Sequence, residues 1–118
     1  MKRRVVVTGL GTISPIGNDT ASFWQSIKEG KSGVGKITRF NTDEYPVSIA
    51  GEVKDFDVSS VAEPREAKKL ERFTSYAIGA KKEAMTEAAL NEGTVDPQKL
   101  GIGIGNGIDG FESVEKGQ

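Results

Sequence analysis

Two glycine-rich stretches and one basic stripe hold the residues whose types and spacing could do chemistry. Gly105-x-Gly107-x-x-Gly110, inside "GIGIGNGIDG", has the spacing of a dinucleotide-binding loop, whose backbone N–H groups would face a pyrophosphate. Gly9-x-Gly11 in "GLGTISPIG" is a second candidate, but Ser14 and Pro15 depart from the pattern and delay the following helix. In both places a tight turn after a buried strand is the favoured reading. Arg65, Lys68, Lys69 and Arg72 recur at three- and four-residue steps, which puts them on one face of a helix, beside Leu70 and Phe73 on its inward side. Such a stripe is either a solvated face, locally compensated by Glu66 and Glu71, or a docking surface for an acidic partner. Asp43, Glu44, Asp55 and Asp57 lie scattered on expected loops, and no motif pairs them for glycosidase or metal chemistry.

Composition narrows the chemistry further. The 118 residues include no Cys and no His, which excludes disulfides, thiolate catalysis, the usual zinc sets and imidazole acid/base chemistry from these residues. No metal and no cofactor is expected. Sixteen basic residues against seventeen acidic ones give a formal charge of -1, so no global field favours nucleic acid or an anionic membrane. "MKRRVVVTG" has basic residues but no h-region behind them, and no apolar run approaches a membrane span, so a cytoplasmic location without membrane insertion is expected.

The length allows one hydrophobic core, and the elements that must position these residues follow from periodicity. Val5, Val6 and Val7 predict a strand buried on both faces. Asn18, Asp19 and Thr20 offer an N-cap for a helix whose stripe is Phe23, Trp24 and Ile27 and which stops at Gly30. Alternation from Val47 to Val53 predicts a strand with one wet face. Leu70, Phe73, Ala77, Ala80, Ala84 and Ala88 predict one long helix that starts at Pro64 and ends near Leu90. Leu100, Ile102 and Ile104 alternate with Gly101, Gly103 and Gly105, which predicts a strand with a bare face against which a backbone, a helix or a ligand comes close. The order strand, helix, strand, helix, strand predicts an α/β layered fold with right-handed parallel crossovers.

Three stretches taken together, "VVVTGLGTISPIGN", "AGEVKDFD" with "EAKKLERFTSYAIGAKKEA", and "GIGIGNGIDG", carry a resemblance that runs from end to end. The chain resembles the amino-terminal part of the bacterial 3-oxoacyl-[acyl-carrier-protein] synthases of type II, condensing enzymes of fatty acid synthesis. The resemblance implies a thiolase-like α/β fold of two similar halves in five layers, αβαβα, and a homodimer. Residues 1–118 would form an incomplete first half. It implies a decarboxylative Claisen condensation, in which an acyl group moves from acyl carrier protein to a cysteine and the carbanion from malonyl carrier protein attacks the thioester. The nucleophile elbow and both histidines of such enzymes fall beyond residue 118, so the chain is expected to be a fragment, inactive alone, with no catalytic residue of its own.

Two features carry over by resemblance. Gly107 and Ile108 fall at the acyl pocket, with Ile108 gating chain length; Ile108 and Pro15 favour type II over type I. Arg65, Lys68, Lys69 and, less firmly, Arg72 fall on the patch that meets the acidic helix of acyl carrier protein. The glycines would then serve close packing and the rim of a pocket. Two other readings stand beside this one: a noncatalytic homologue resembling a chain-length factor, and a small nucleotide-binding module.

Overall fold

The computed structural model describes residues 2–91 and 93–107. Its ordered elements are helix α1 (Thr20–Lys28), strands β1 (Val34–Lys36) and β2 (Ile49–Gly51), helix α2 (Pro64–Ala67) and helix α3 (Arg72–Glu87), with short 3-10 turns at Val58–Ser60 and Pro97–Lys99. Chain contacts divide it into two compact units, Thr12–Phe56 and the described parts of Met1–Gly11 with Asp57–Gln118.

In the Thr12–Phe56 unit, helix α1 begins where the capping residues predict. Asp19 is extended, and its carboxylate accepts from the Ser22 N–H at 2.7 Å and the Ser22 hydroxyl at 3.0 Å. The helix ends in a Schellman turn: the Gly30 N–H donates to the Ile27 carbonyl, the Lys31 N–H donates to the Ser26 carbonyl, and Gly30 has φ 66°. Of the expected apolar stripe only Phe23 is half-buried, whereas Trp24 and Ile27 are exposed. What anchors the helix is polar, since the buried Ser26 hydroxyl donates to the Ile16 carbonyl at 2.7 Å.

Strand β2 falls inside the alternating run and pairs antiparallel with β1, Gly35 opposite Ala50. Ammonium chemistry closes the unit: Lys54 Nζ donates to the carbonyls of Pro15, Gly33 and Glu52 at 3.1–3.2 Å.

In the other unit, Gly9 and Gly11 lie directly on α3. A β-carbon at Gly9 would overlap the Ala84 carbonyl oxygen, and one at Gly11 the Ala80 carbonyl oxygen. The loop thus settles against α3 at Ala80, Ala84 and Ala88, and a side chain at Gly9 or Gly11 would collide with the backbone there. The Leu10 N–H between the two glycines donates to Glu87 Oε2 at 2.7 Å. Val61 is the one buried hydrophobic side chain among the described residues.

Four expectations need correction. Val5, Val6 and Val7 are 94%, 66% and 79% exposed and join no ladder among the described residues, so they are not a buried strand there. Leu100, Ile102 and Ile104 likewise form no assigned strand, and nothing lies within 4 Å of the positions where β-carbons at Gly101, Gly103 and Gly105 would stand. A β-branched or alternating run supplies the extended conformation, but a ladder needs a neighbour, and the described residues provide a neighbour only between β1 and β2. The expected parallel crossovers are accordingly not formed among them. Finally, the long helix is two helices. Glu71 has φ -72° and ψ 157°, outside the helical region, so the i to i−4 ladder stops and restarts with the Ser75 N–H on the Glu71 carbonyl.

Candidate functional site

The break at Glu71 reshapes the basic stripe. Arg65 sits within α2, Lys68 is the residue that caps it, Lys69 lies in the connecting turn, and Arg72 opens α3. The four are brought close in sequence but not onto one continuous helical face. All four are exposed, and Arg65, Lys68 and Lys69 make no side-chain hydrogen bond or ion pair to a described residue. Local backbone bonds give the segment its shape. The Ala67 N–H donates to the Glu63 carbonyl at 2.8 Å, while the Lys69 and Leu70 N–H groups both donate to the Glu66 carbonyl, at 2.9 and 3.2 Å. Pro64 at the first helical position fits an N-terminus because its missing N–H would have no partner there.

The segment is held from both sides. Before it, Asp57 caps the turn Val58–Ser60, its carboxylate accepting from the Ser59 hydroxyl at 2.6 Å and the Ser59 N–H at 3.0 Å. Those two donors, the hydroxyl first, hold the Asp57 carboxyl below its ordinary value. Behind it, Lys82 of α3 donates from Nζ to the carbonyls of Val61 at 3.1 Å and Ser60 at 3.4 Å. A cation at the C-terminal end of a helical turn satisfies carbonyls that the turn itself cannot.

The segment carries neither Cys nor His. Among the described residues no group of three or more acidic side chains could hold a metal ion, and no helix is long and apolar enough to cross a membrane. What the geometry can do is present exposed cations, interleaved with Glu63, Glu66 and Glu71, to an anionic partner.

Gly107 is exposed with open space around it; Ile108 lies outside the described residues, as does Gly110. The Gly9-x-Gly11 loop is unsuited to phosphate. Its two bare faces are occupied by α3 backbone, and its central N–H is taken by the Glu87 carboxylate, whose charge opposes a phosphate. Sequence reasoning missed Glu87 and Lys82. Neither belongs to a motif, and their partners lie 77 and 21–22 residues away, so no local pattern marks them.

Comparison with known proteins gives this geometry its context. Residues 2–118 match the family model for the N-terminal domain of beta-ketoacyl synthases. The 3-oxoacyl-[acyl-carrier-protein] synthase 2 of Staphylococcus aureus (strain COL) is 45% identical over 115 residues, covering 96% of this chain and 27% of that protein. The protein of the same name from Synechocystis sp. (strain ATCC 27184 / PCC 6803 / Kazusa) is 42% identical over 117 residues, 99% of this chain and 28% of that protein. A solved structure, the ishigamide ketosynthase/chain length factor, superposes with a TM-score of 0.71 at 35% identity over 78% of this chain and 23% of that one. The chain thus spans little more than a quarter of the length of the curated relatives it matches, and its fold is the thiolase-like α/β fold expected from the resemblance. By a domain match that covers all but its first residue, the chain belongs to the beta-ketoacyl synthase family.

Proposed function

We propose that this chain is part of a type II 3-oxoacyl-[acyl-carrier-protein] synthase that lengthens acyl chains by decarboxylative Claisen condensation, and that its own share of the work is to dock acyl carrier protein. The observation that carries the proposal is identity of 42–46% to 3-oxoacyl-[acyl-carrier-protein] synthase 2 proteins over nearly the whole chain. With no Cys or His among the 118 residues, the thiolate that accepts the acyl group and the imidazoles that stabilise the enolate would come from outside them. Residues 1–118 alone would be inactive. Arg65, Lys68 and Lys69, with Arg72 beside them, would meet the acidic face of the carrier protein, and Gly107 with Ile108 would line the acyl pocket. The working enzyme would be a cytoplasmic homodimer without a cofactor.

The test is charge reversal in the full-length protein. Lys68→Glu with Lys69→Glu exchanges two attractions for two repulsions, and at exposed positions this should weaken carrier-protein binding about tenfold or more and flatten its salt dependence. Unchanged affinity at low salt rejects the docking role.

A second reading has one observation behind it. The solved structure that superposes on this chain is described as a ketosynthase/chain length factor, and a noncatalytic partner resembling a chain-length factor would keep the same fold. The residue at the nucleophile elbow of the full-length sequence separates the two, since only a condensing enzyme needs cysteine there.

A further inference from the structure

We infer that Lys82 is a positioning residue for the basic docking segment, an inference that rests on the docking reading above. Val61 and Ser60 end the 3-10 turn that leads into α2, and α2 packs beside that turn. A turn of three residues leaves its last carbonyls without helical partners. Lys82 Nζ takes two of them, at 3.1 Å from Val61 and 3.4 Å from Ser60, and so fastens the entry to α2 onto the third turn of α3. Val61 is also buried, so the clamp acts where the segment is already seated.

Between that clamp and the restart of the helix at Arg72, the segment 62–71 holds only one short helical turn, with Arg65 in it, Lys68 capping it and Lys69 just past it. One turn of helix has little stability of its own. Release of the clamp would therefore leave the three cations tethered but no longer held in one arrangement. Lys82 is an exposed cation itself, but it donates to two backbone carbonyls, whereas Arg65, Lys68 and Lys69 make no such bond to a described residue.

The experiment compares Lys82→Met with Lys68→Gln/Lys69→Gln in the full-length protein, by carrier-protein titration at several salt concentrations and by amide hydrogen exchange. If the carrier protein binds only the clamped arrangement, affinity falls in proportion to the population that keeps it, and Lys82→Met should lose about three- to tenfold. Because no contact to the carrier protein is removed, the salt dependence should shift without a change of slope. The amides of Ala67, Lys69 and Leu70 should exchange faster, while those in the middle of α3 should not.

Faster exchange with unchanged binding overturns the inference, since the clamp would then be structural only. A flatter salt slope with unchanged exchange also overturns it, by making Lys82 a direct contact. Lys68→Gln/Lys69→Gln should weaken binding and flatten the slope with exchange unchanged; if it leaves binding untouched, the docking reading fails, and the inference with it. Should the Met variant not fold, Lys82→Gln keeps a donor and removes the charge. Positioning predicts affinity nearer to the parent with the parent slope, and a direct contact predicts the flatter one.

Discussion

Gly11→Ala asks whether the glycine loop is built for α3. The β-carbon of alanine would overlap the Ala80 carbonyl oxygen and stand 2.9 Å from both the Ala80 carbonyl carbon and the Ala84 nitrogen. All three are backbone atoms inside the α3 ladder, so they cannot swing aside as a side-chain tip could, and the loop must move instead. Overpacking of this kind costs about 1–3 kcal/mol. Movement also loosens the Leu10 N–H bond to the Glu87 carboxylate, a hydrogen bond to a charged acceptor, worth about 1 kcal/mol at this exposed position. The expected total is about 2–4 kcal/mol, read as a lower urea midpoint at unchanged slope. Gly35→Ala is the control: nothing stands within 4 Å of its β-carbon position in β1, so its change should stay within about 0.5 kcal/mol. If Gly11→Ala unfolds at the same midpoint as Gly35→Ala, the loop does not rest on α3 and the account of both glycines fails.

Two further outcomes follow from local geometry. Helix α3 ends in the same Schellman bonding as α1, with the Leu90 N–H on the Met85 carbonyl and the Ala89 N–H on the Thr86 carbonyl, but with alanine at φ 56° where α1 has Gly30; Ala89→Gly should therefore raise stability by about 0.5–1 kcal/mol and Gly30→Ala should lower it by about 1 kcal/mol in thermal or urea unfolding. Glu52 is held below its ordinary value, first by the Thr38 hydroxyl at 2.8 Å and then by the Thr38 N–H, so its contribution is complete above the ordinary glutamate value and lost as pH falls through the lowered folded one. Carboxyl chemical shifts should show Glu52 titrating below ordinary glutamates in the parent and returning toward them in Thr38→Val; an unmoved titration would contradict the Thr38 contact.

How much of this was legible in the sequence depended on how far away each partner stood. The start and stop of α1 could be read because Asp19 caps Ser22 and Gly30 closes on Ile27, all within a few residues. The break between α2 and α3 could not, because Lys68, Lys69, Leu70 and Glu71 are ordinary helix formers and the apolar spacing runs on through them. Periodicity reports which residues share a face; it does not report that one residue among them has left the helical region. The runs at Val5–Val7 and Leu100–Gly105 show the reverse failure, for they have strand composition but no ladder partner among the described residues. Family membership was legible from the joint occurrence of three stretches, whereas each glycine motif alone read best as a tight turn.

The glycines show why a motif needs its surroundings before it means anything. Glycine marks a place where something can come close; Gly105-x-Gly107-x-x-Gly110 has the full spacing of a phosphate loop, and Gly9-x-Gly11 has only its first half. At Gly9 and Gly11 the close neighbour is the backbone of α3, and the N–H that a phosphate would need is already given to a carboxylate. Phosphate and Glu87 compete for one donor and repel each other, so a loop built around Glu87 excludes the ligand its spacing suggests. Charge of the opposite sign is offered elsewhere, on Arg65, Lys68 and Lys69, where side chains reach solvent. The glycine loop whose spacing suggested an anionic ligand is thus the place least suited to one, and the exposed cations at and just after the short helix before α3 are where the proposed anionic partner would be tested for.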